Sequence, residues 1–376
     1  MISDEISSFL QERIDANDFP SAVYLVAEKG EIIFEDALGR AVVEPEKIDA
    51  KLTTIYDLAS LTKPLVTGLL VAMLIEGGEV DPNETIGNLL PEFFVSGNAE
   101  VTLNQLLMHT SGFPAWRPFY LLVEHPEDIA TEIARTFQIE EQEPVTYSDL
   151  NFLTVAYVIE RITGMDLAEC AHAEIFSPLG LKDTRFNPLS YLPKERLAAS
   201  EKGNEYEKGT CLELGYLQSV APKTASKAFR EYQIWGEVHD GNAWFSGGVA
   251  GHAGLFSTAY EVFNMAQQFL PGFTTLLKAE TCDLFSTNFT KGANEDRSVA
   301  FQLASTKGST AGSKMSMESF GHNGFTGTSL WIDPTKERIF ILLTNRTHAH
   351  PLPFVNINSV RRRFHEIAIS LLDSNG

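Results

Sequence analysis

The chain has 376 residues, 44% of them hydrophobic, which is enough apolar material for one large core or two smaller ones. Its formal net charge of −21 argues against nucleic acid or an anionic membrane surface as the main partner. The first five residues lack the basic region and apolar run of a secretory signal, and no apolar stretch is expected to be long enough to span a bilayer. We therefore expect a globular, cytoplasmic protein without a membrane partner.

The N-terminal part is predicted to contain a helix, a hairpin and a buried helix. Residues 2–14 are amphipathic, and alternating runs at 22–27 and 31–35 meet at Lys29-Gly30, as in a β-hairpin. The segment from Asp57 to Gly78 is apolar on all sides from residue 64 to residue 75, which indicates a helix that runs through a core.

This buried helix carries the first candidate site, Ser60-Leu61-Thr62-Lys63. Pro64 is tolerated only in a first turn, so the helix should begin near Ser60, and Lys63, three residues on, can direct its amine at the serine oxygen. Burial and the helix dipole would both lower the lysine pKa toward that of a general base. The alternative is a serine N-cap followed by a solvated lysine.

The middle of the chain reads as mostly helical, with helices predicted at 103–109, 126–135 and 150–163. The stretch from Ala198 to Gly241 has no regular period and is predicted to be a long loop or lid. We therefore assign residues 1–85 and 245–376 to a discontinuous α/β sheet domain and residues 86–244 to a mainly helical domain. The predicted class is α+β.

A second site element, Tyr147-Ser148-Asp149, stands directly before the predicted helix at 150–163. Tyr147 could place its phenol near the Ser60/Lys63 pair, where the ammonium would favour phenolate and allow proton relay. The alternative is an ordinary helix start in which Ser148 or Asp149 is the N-cap.

The third element is the glycine-rich run Gly321 to Thr328, within a predicted strand at 320–331. Glycines in a strand mark the close approach of a ligand or another backbone, and an exposed strand edge offers a peptide N–H to an oxyanion. A plain bulge is the alternative. A further strand at 338–344 and an amphipathic helix at 355–372 follow, so strands from both chain ends are expected to form one sheet.

The remaining cysteines and histidines suggest no metal or other cofactor. The three cysteines form no Cys-x-x-Cys pair and are read as reduced structural thiols. The nine histidines show no tight ligand spacing. His109 and His252 are expected to fix backbone rather than to do chemistry, and the pair His239-Asp240 is discounted as part of a triad because Ser60 already has other partners.

Taken in order, the three elements resemble the penicillin-recognising serine hydrolases: class C β-lactamases, DD-peptidases, and their esterase and D-aminopeptidase relatives. The family pattern of Ser-x-x-Lys, Tyr-x-Asn and then Lys-Thr-Gly or His-x-Gly is matched by Ser60 to Lys63, Tyr147 to Asp149, and His322 to Gly324. Further similarities are the runs 106–112, 236–240 and 247–258, so the resemblance covers about residues 19–345. It implies the β-lactamase/DD-peptidase-like fold, with the site where the sheet meets the helical domain.

The resemblance also implies roles for individual residues. Ser60 would be the acylated nucleophile, Lys63 and Tyr147 would share general acid/base work, and the N–H groups of Ser60 and Phe325 would form the oxyanion hole. Substrate would bind along the strand residues and beside the carboxylate that follows Tyr147, namely at Asp149, His322, Asn323 and Gly324.

Two departures from the β-lactamase pattern matter chemically. Asp149 replaces an asparagine, and its charge would keep Lys63 protonated and shift base catalysis toward Tyr147. Alternatively, Ser148-Asp149-Leu150 could be a degraded Ser-Asp-Asn of class A enzymes, although the long gap from Ser60 fits the tyrosine register better. His322 replaces a lysine and is a weaker anchor for an anion, which favours small esters, amides or peptides over β-lactams.

Two function classes remain open from sequence: an acyl-transfer hydrolase, with true β-lactamase as one branch, and a catalytically silent penicillin-binding-type scaffold or binding protein. The presence of Ser60, Lys63 and Tyr147 together favours the enzyme. The predicted partner is a small-molecule ester, amide or peptide.

Overall fold

The computed structural model describes residues 2–94, 96–136, 143–218 and 228–375. Its central element is a seven-stranded sheet in the order β3-β2-β1-β11-β10-β9-β8, in which the recorded strand pairs are antiparallel. Two small two-stranded sheets pair β4 with β7 and β5 with β6. The strands are β1 Ser21–Glu28, β2 Glu31–Val42, β3 Ile48–Asp49, β4 Tyr56–Asp57, β5 Ala199–Lys202, β6 Gln233–Trp235, β7 Phe256–Ser257, β8 Gln302–Leu303, β9 Phe320–Asn323, β10 Ser329–Asp333 and β11 Arg338–Thr344.

Helices cover both faces of this sheet and fill the middle of the chain. The α-helices are Asp4–Asp15, Leu69–Gly77, Ile86–Leu89, Leu103–Leu107, Phe119–Leu122, Ile129–Ala134, Asp149–Thr163, Leu167–Ala171, Glu205–Glu213, Gly241–Phe245, Ala259–Ala266, Asp283–Ser286 and Asn358–Asn375. Short 3₁₀ segments are Ala59–Leu61, Pro91–Phe93, Pro126–Asp128, Pro188–Ser190, Lys194–Arg196, Tyr216–Gln218, Gln267–Phe269 and Ala279–Cys282, and π-helical segments are Lys63–Gly68 and His172–Phe176.

The alternation of side chains along a strand explains why the sheet has helices on both faces. Along β1, Val23 and Leu25 enter the larger apolar core, whereas Tyr24 and Val26 enter a second core. The second core is closed by the two terminal helices, and the larger one contains the buried helix that begins beside Ser60. Both faces of the sheet are therefore buried from water, which is why β11 is apolar at nearly every position.

The predicted helix that begins near Ser60 is confirmed, with more detail than the sequence indicated. A 3₁₀ turn at Ala59–Leu61 leads into the π-helical segment Lys63–Gly68 and then the α-helix Leu69–Gly77, which ends at the left-handed Gly78 (φ 72°). Pro64 lies at the start of the π-helical segment, where a missing N–H is tolerated. Single-turn π segments are often found at functional sites.

One sequence expectation about this helix is wrong. Within the described residues, the 19 residues Ala59–Gly77 form a helix that is long and apolar enough to cross a membrane, with a mean hydropathy of 1.4. However, 78% of the 18-residue segment that meets this criterion is buried inside the protein. Helices that run through a protein core are apolar all round for the same reason that membrane helices are.

Two other predicted elements differ from the structure. The predicted strand at 320–331 is two strands, β9 and β10, separated by the glycine-containing turn at 324–328. The predicted loop at 198–241 contains β5, the helix Glu205–Glu213 and β6, although residues 219–227 lie outside the described part. The largest apolar core joins residues from both predicted domains, and the domain division stays a prediction.

Candidate active site

Ser60 lies at the start of the buried helix, in a turn that is fixed from outside the helix. Asp57 accepts hydrogen bonds from the N–H of Ala59 (2.9 Å) and, with its other oxygen, from the N–H of His239 (2.7 Å). Ala59 has a φ of 47°, an uncommon conformation for a residue with a side chain. Strain of this kind persists only where the surroundings impose it, and here it presents Ser60 to the cavity described below.

Lys63 lies fully buried behind Ser60 and makes three hydrogen bonds with its amine. Its Nζ donates to Ser60 Oγ (3.0 Å), Asp149 Oδ1 (2.7 Å) and His252 O (3.2 Å). An ammonium has three protons, so this set of acceptors matches the charged form. The predicted approach of the Lys63 amine to the serine oxygen is confirmed.

The pKa of Lys63 corrects one sequence expectation and supports another. Burial by itself lowers this pKa, but the negative charge of Asp149 and the hydrogen bonds outweigh it, and the pKa is raised above its ordinary value. The expected lowering toward a neutral amine is therefore wrong. The expectation that Asp149 holds Lys63 protonated is confirmed by the 2.7 Å ion pair.

Tyr147 lies against the same pair, beside the start of the helix Asp149–Thr163. Lys63 Nζ is 4.8 Å from the centre of the tyrosine ring, and the phenol lies close to both Lys63 and Ser60. Burial raises the pKa of Tyr147 more than the charge of Lys63 and the closeness of these two side chains lower it. The ammonium does favour the phenolate, as expected, but desolvation outweighs the neighbouring charge, so Tyr147 is a phenol in the resting site.

The alternative of an ordinary helix start at Ser148 is not supported by its side chain. Ser148 occupies the N-cap position but makes no side-chain cap bond; its hydroxyl donates to Pro114 O (2.7 Å) instead. Its N–H donates to His109 Nδ1 (3.0 Å). The helix start is therefore held by tertiary contacts, which leave the Asp149 carboxylate free to meet Lys63.

The turn after β9 is bound to the segment just before Ser60. Thr328 Oγ1 donates to Leu58 O (3.0 Å), and Thr326 Oγ1 donates to Asp57 O (2.7 Å). A Cβ on Gly324 would overlap Thr328 Oγ1 and lie 2.5 Å from Leu58 O, so only glycine fits there. These contacts bring the backbone of Phe325 next to the turn that carries Ser60.

His322 and Asn323 lie at the end of β9, facing the same space. Burial, then the positive charges of Lys63 and Arg297, lowers the pKa of His322 well below its ordinary value, so the imidazole is neutral at pH 7. Its ring centre is 5.7 Å from that of Tyr147. Asn323 exchanges hydrogen bonds with Thr310 (3.0 and 3.1 Å). The expected neutral histidine is confirmed.

Asp240 has a different partner from the adjacent histidine. His239 Nε2 pairs with Glu201 (2.7 Å), whereas Asp240 pairs with His252 Nε2 (2.9 Å). A His239–Asp240 dyad therefore does not form. Asp149, Asp240 and His252 each offer a possible metal-ligand atom within 4.8 Å of one another, but Lys63 already supplies a positive charge to Asp149 at 2.7 Å.

A cavity of about 640 Å³ connects these elements. Seven of the predicted site residues line it, namely Ser60, Tyr147, Asp149, His322, Asn323, Gly324 and Phe325. Lys63 lies behind its wall. The sequence analysis missed Glu207, Arg297 and Arg361, which also line it, because they stand singly and outside any motif. It also missed Asp57, whose position next to the nucleophile turn was the available signal.

Comparisons with known proteins agree with this arrangement. The Beta-lactamase family model matches residues 6–361. An Escherichia coli K12 protein named "Putative D-alanyl-D-alanine carboxypeptidase" is 28% identical over 373 residues, covering 92% of this chain and 82% of that protein. Because the family match spans most of its length, the chain belongs to the β-lactamase family of serine hydrolases.

Solved structures share the fold. A class C β-lactamase from Rhodobacter sphaeroides superimposes with a TM-score of 0.71 at 17% identity, covering 98% of this chain and 100% of that chain. EstCE1, described as a hydrolase with promiscuous acyltransferase activity, superimposes with a TM-score of 0.70 at 18% identity, covering 96% and 97%. The predicted α+β, β-lactamase/DD-peptidase-like fold is thereby confirmed.

Proposed function

We propose that the chain hydrolyses small esters, amides or short peptides through an acyl-enzyme on Ser60. The observation that carries this proposal is the contact of Ser60 Oγ with Lys63 Nζ at 3.0 Å, with Asp149 at 2.7 Å from the same amine. The pair lies at a cavity large enough for a small ligand. The carboxypeptidase name carried by the Escherichia coli relative supports a peptide among the substrates.

The protonation states of the resting site indicate that Lys63 and Asp149 act together as the general base. At neutral pH Lys63 is an ammonium and Tyr147 is a phenol, because the pKa of each is raised. Neither can accept the serine proton without first losing its own. Asp149 accepts a hydrogen bond from Lys63 at 2.7 Å, so the lysine passes a proton to Asp149 as it takes one from Ser60.

The acyl transfer then proceeds in two steps, acylation of Ser60 and hydrolysis of the acyl-enzyme. Ser60 Oγ forms a bond to the substrate carbonyl carbon, the bond to the leaving oxygen or nitrogen breaks, and Tyr147 protonates the leaving group. The proton held by the Lys63–Asp149 pair restores the phenol, and water cleaves the ester on Ser60 by the reverse proton route. The N–H groups of Ser60 and Phe325 stabilise the oxyanion in both steps.

His322 supports esters, amides or peptides, rather than β-lactams, as the substrates. A neutral imidazole attracts a carboxylate less than a lysine ammonium does, and its pKa is lowered well below the ordinary value by burial and by the charges of Lys63 and Arg297. The strand residues His322, Asn323 and Gly324 are then contacts for a substrate chain rather than an anchor for an antibiotic carboxylate.

Labelling of the nucleophile tests the proposed function directly. We expect a fluorophosphonate or fluorescent penicillin to form an adduct on the peptide that contains Ser60, detected by mass spectrometry. Ser60→Ala should abolish both the adduct and p-nitrophenyl ester turnover. No adduct, with equal ester turnover in wild type and Ser60→Ala, would favour a catalytically silent binding protein instead.

A substrate panel separates the branches of the proposal. Short acyl p-nitrophenyl esters, D-amino-acid amides and nitrocefin are compared by kcat/KM. We expect esters or amides to exceed nitrocefin. Robust nitrocefin hydrolysis, faster than that of the ester panel, would contradict the weight placed on His322 and identify a β-lactamase.

A further inference from the structure

His109 contacts both sides of the Tyr147 peptide segment. Its carbonyl oxygen accepts a hydrogen bond from the N–H of Thr146 (2.9 Å), and its Nδ1 accepts one from the N–H of Ser148 (3.0 Å). Between these two bonds, the imidazole lies on the Tyr147 ring, with centroids 4.6 Å apart and planes at 35°. One residue therefore holds the residue before Tyr147, the residue after it and the ring itself.

The backbone at His109 is in an unfavourable conformation for a residue with a side chain. The helix Leu103–Leu107 ends with Thr110 N–H donating to Gln105 O (2.9 Å) and His109 N–H donating to Leu106 O (3.2 Å). This pattern is a Schellman motif, which places His109 in the left-handed position with φ 58°. Glycine or asparagine is the usual residue there, so histidine occupies this position despite backbone strain.

The hydrogen bonds also fix which nitrogen of His109 carries the proton. Nδ1 faces two donors, Ser148 N–H at 3.0 Å and Asn151 Nδ2 at 3.4 Å, so it must be the unprotonated acceptor. Nε2 then bears the hydrogen, and it has no partner among the described residues although it is buried. The ring is thus held in place at the expense of an unsatisfied N–H, which helix termination alone would not require.

The charges around the ring favour the neutral form. Burial, followed by the positive charges of Arg297 and Lys63, lowers the pKa of His109 well below its ordinary value. A neutral ring keeps Nδ1 available to Ser148 at neutral pH. It also adds no positive charge beside Lys63.

We propose that His109 is a positioning residue that holds Tyr147 in the orientation needed to reach Ser60 and Lys63. It acts through Tyr147 and does not itself touch substrate. The kinetic part of this inference rests on the proposed function, whereas the structural part does not. His109→Asn is the sharpest test, because asparagine tolerates a positive φ and keeps the helix end while it removes the ring.

The first arm measures the position of Tyr147 without turnover. In protein labelled with ¹³C-tyrosine, the Tyr147 ring signal is identified by its loss in Tyr147→Phe. We expect His109→Asn to move this signal, because the neighbouring ring current is lost, and to change the pH at which the phenol titrates. An unmoved Tyr147 signal in His109→Asn would overturn the inference.

The second arm is kinetic. We expect His109→Asn to lower kcat about 10- to 100-fold with KM within twofold, as for a small misplacement of a catalytic group. In a Tyr147→Phe background the same substitution should change kcat less than twofold, because the group it positions is gone. Equal effects in both backgrounds would show a merely structural role.

His348→Asn provides a matched control. His348 is also fully buried and bridges two backbone groups, Val43 N–H at 2.8 Å and Ser200 O at 2.9 Å, but it does not contact Tyr147. We expect it to alter stability while kcat stays within twofold and the Tyr147 signal does not move. Wild-type protein that turns over no substrate would contradict the proposed function, and the NMR arm alone would then decide the role of His109.

Discussion

Replacing Asp149 by asparagine isolates the charge that holds Lys63 protonated. The ion pair is 2.7 Å long, the lysine side chain is 0% exposed and the aspartate side chain is 17% exposed. Removing one partner of such a buried pair leaves an uncompensated charge, which costs about 3–5 kcal/mol of unfolding free energy. Since Asp149 is not fully buried, we expect a loss near the lower limit, about 3 kcal/mol at pH 6.

The sign of the pH dependence follows from the two proton equilibria. In wild type the pKa of Lys63 is raised in the folded state, so its contribution to stability is present below the unfolded pKa and is lost as pH rises through the folded pKa. Without Asp149, burial dominates and the folded state disfavours the ammonium. The variant should therefore lose less stability relative to wild type at pH 9.5 than at pH 6.

Urea unfolding followed by circular dichroism at both pH values measures this difference. Asp183→Asn is the control, because it removes an ion pair of similar length, 2.6 Å to Arg196, whose side chains are 23% and 33% exposed. Exposed pairs contribute about 0–1 kcal/mol. A loss in Asp149→Asn no larger than that of the control, or one that grows with pH, would refute the reasoning.

The pH profile of kcat/KM tests the catalytic part of the same argument. If the Lys63–Asp149 pair is the base, wild type works with a charged Lys63, whereas Asp149→Asn needs a neutral Lys63. The acidic limb of the profile should then move to higher pH in the variant. A shift to lower pH would mean that Lys63 acts alone and that Asp149 only suppresses it.

Two further predictions concern residues around the cavity. Gly324→Ala should lower both ester turnover and the melting temperature, by the equivalent of about 1–3 kcal/mol, because its Cβ would overlap Thr328 Oγ1; unchanged melting would contradict the tight contact. Burial and the charge of Asp240 raise the pKa of Glu207 from 4.5 to about 7. Between these two pH values the folded state binds a proton at Glu207 that the unfolded state does not, so the stability of the wild type falls as the pH rises from 4.5 to about 7. Glu207→Gln should therefore gain melting temperature relative to wild type at pH 8 but not at pH 4.5, and an equal change at both pH values would exclude this burial effect.

Much of the fold followed from local patterns. The hairpin of β1 and β2, the helix that begins beside Ser60 and the strand β11 were predictable because alternation, capping residues and turn residues are local signals. The single predicted strand at 320–331 failed because Gly324 and Gly327 mark a turn whose contacts, Thr328 with Leu58 among them, are distant in sequence.

The candidate site was predictable in identity but not in electrostatics. The three motifs identified which residues meet, yet the pKa of Tyr147 depends on how completely the fold removes water from it, and the sequence suggested the opposite direction. The sequence predicts that His109 fixes backbone, and its three hydrogen bonds with backbone groups confirm this. Its stacking on Tyr147 could not be foreseen, because the two residues are far apart along the chain.

The pairing of β1 with β11 has a consequence for synthesis of the chain. Glu28 lies opposite Arg338, so the N-terminal hairpin gains its central neighbour only after almost the whole polypeptide has been made. Contacts of such long sequence separation slow folding. Until β11 has been synthesised, the apolar strand β1 has one unpaired edge. The cavity wall that carries the proposed oxyanion hole, in the turn between β9 and β10, is also synthesised late. A nascent chain that has already made the helix beside Ser60 therefore lacks part of the proposed catalytic centre until its last quarter emerges.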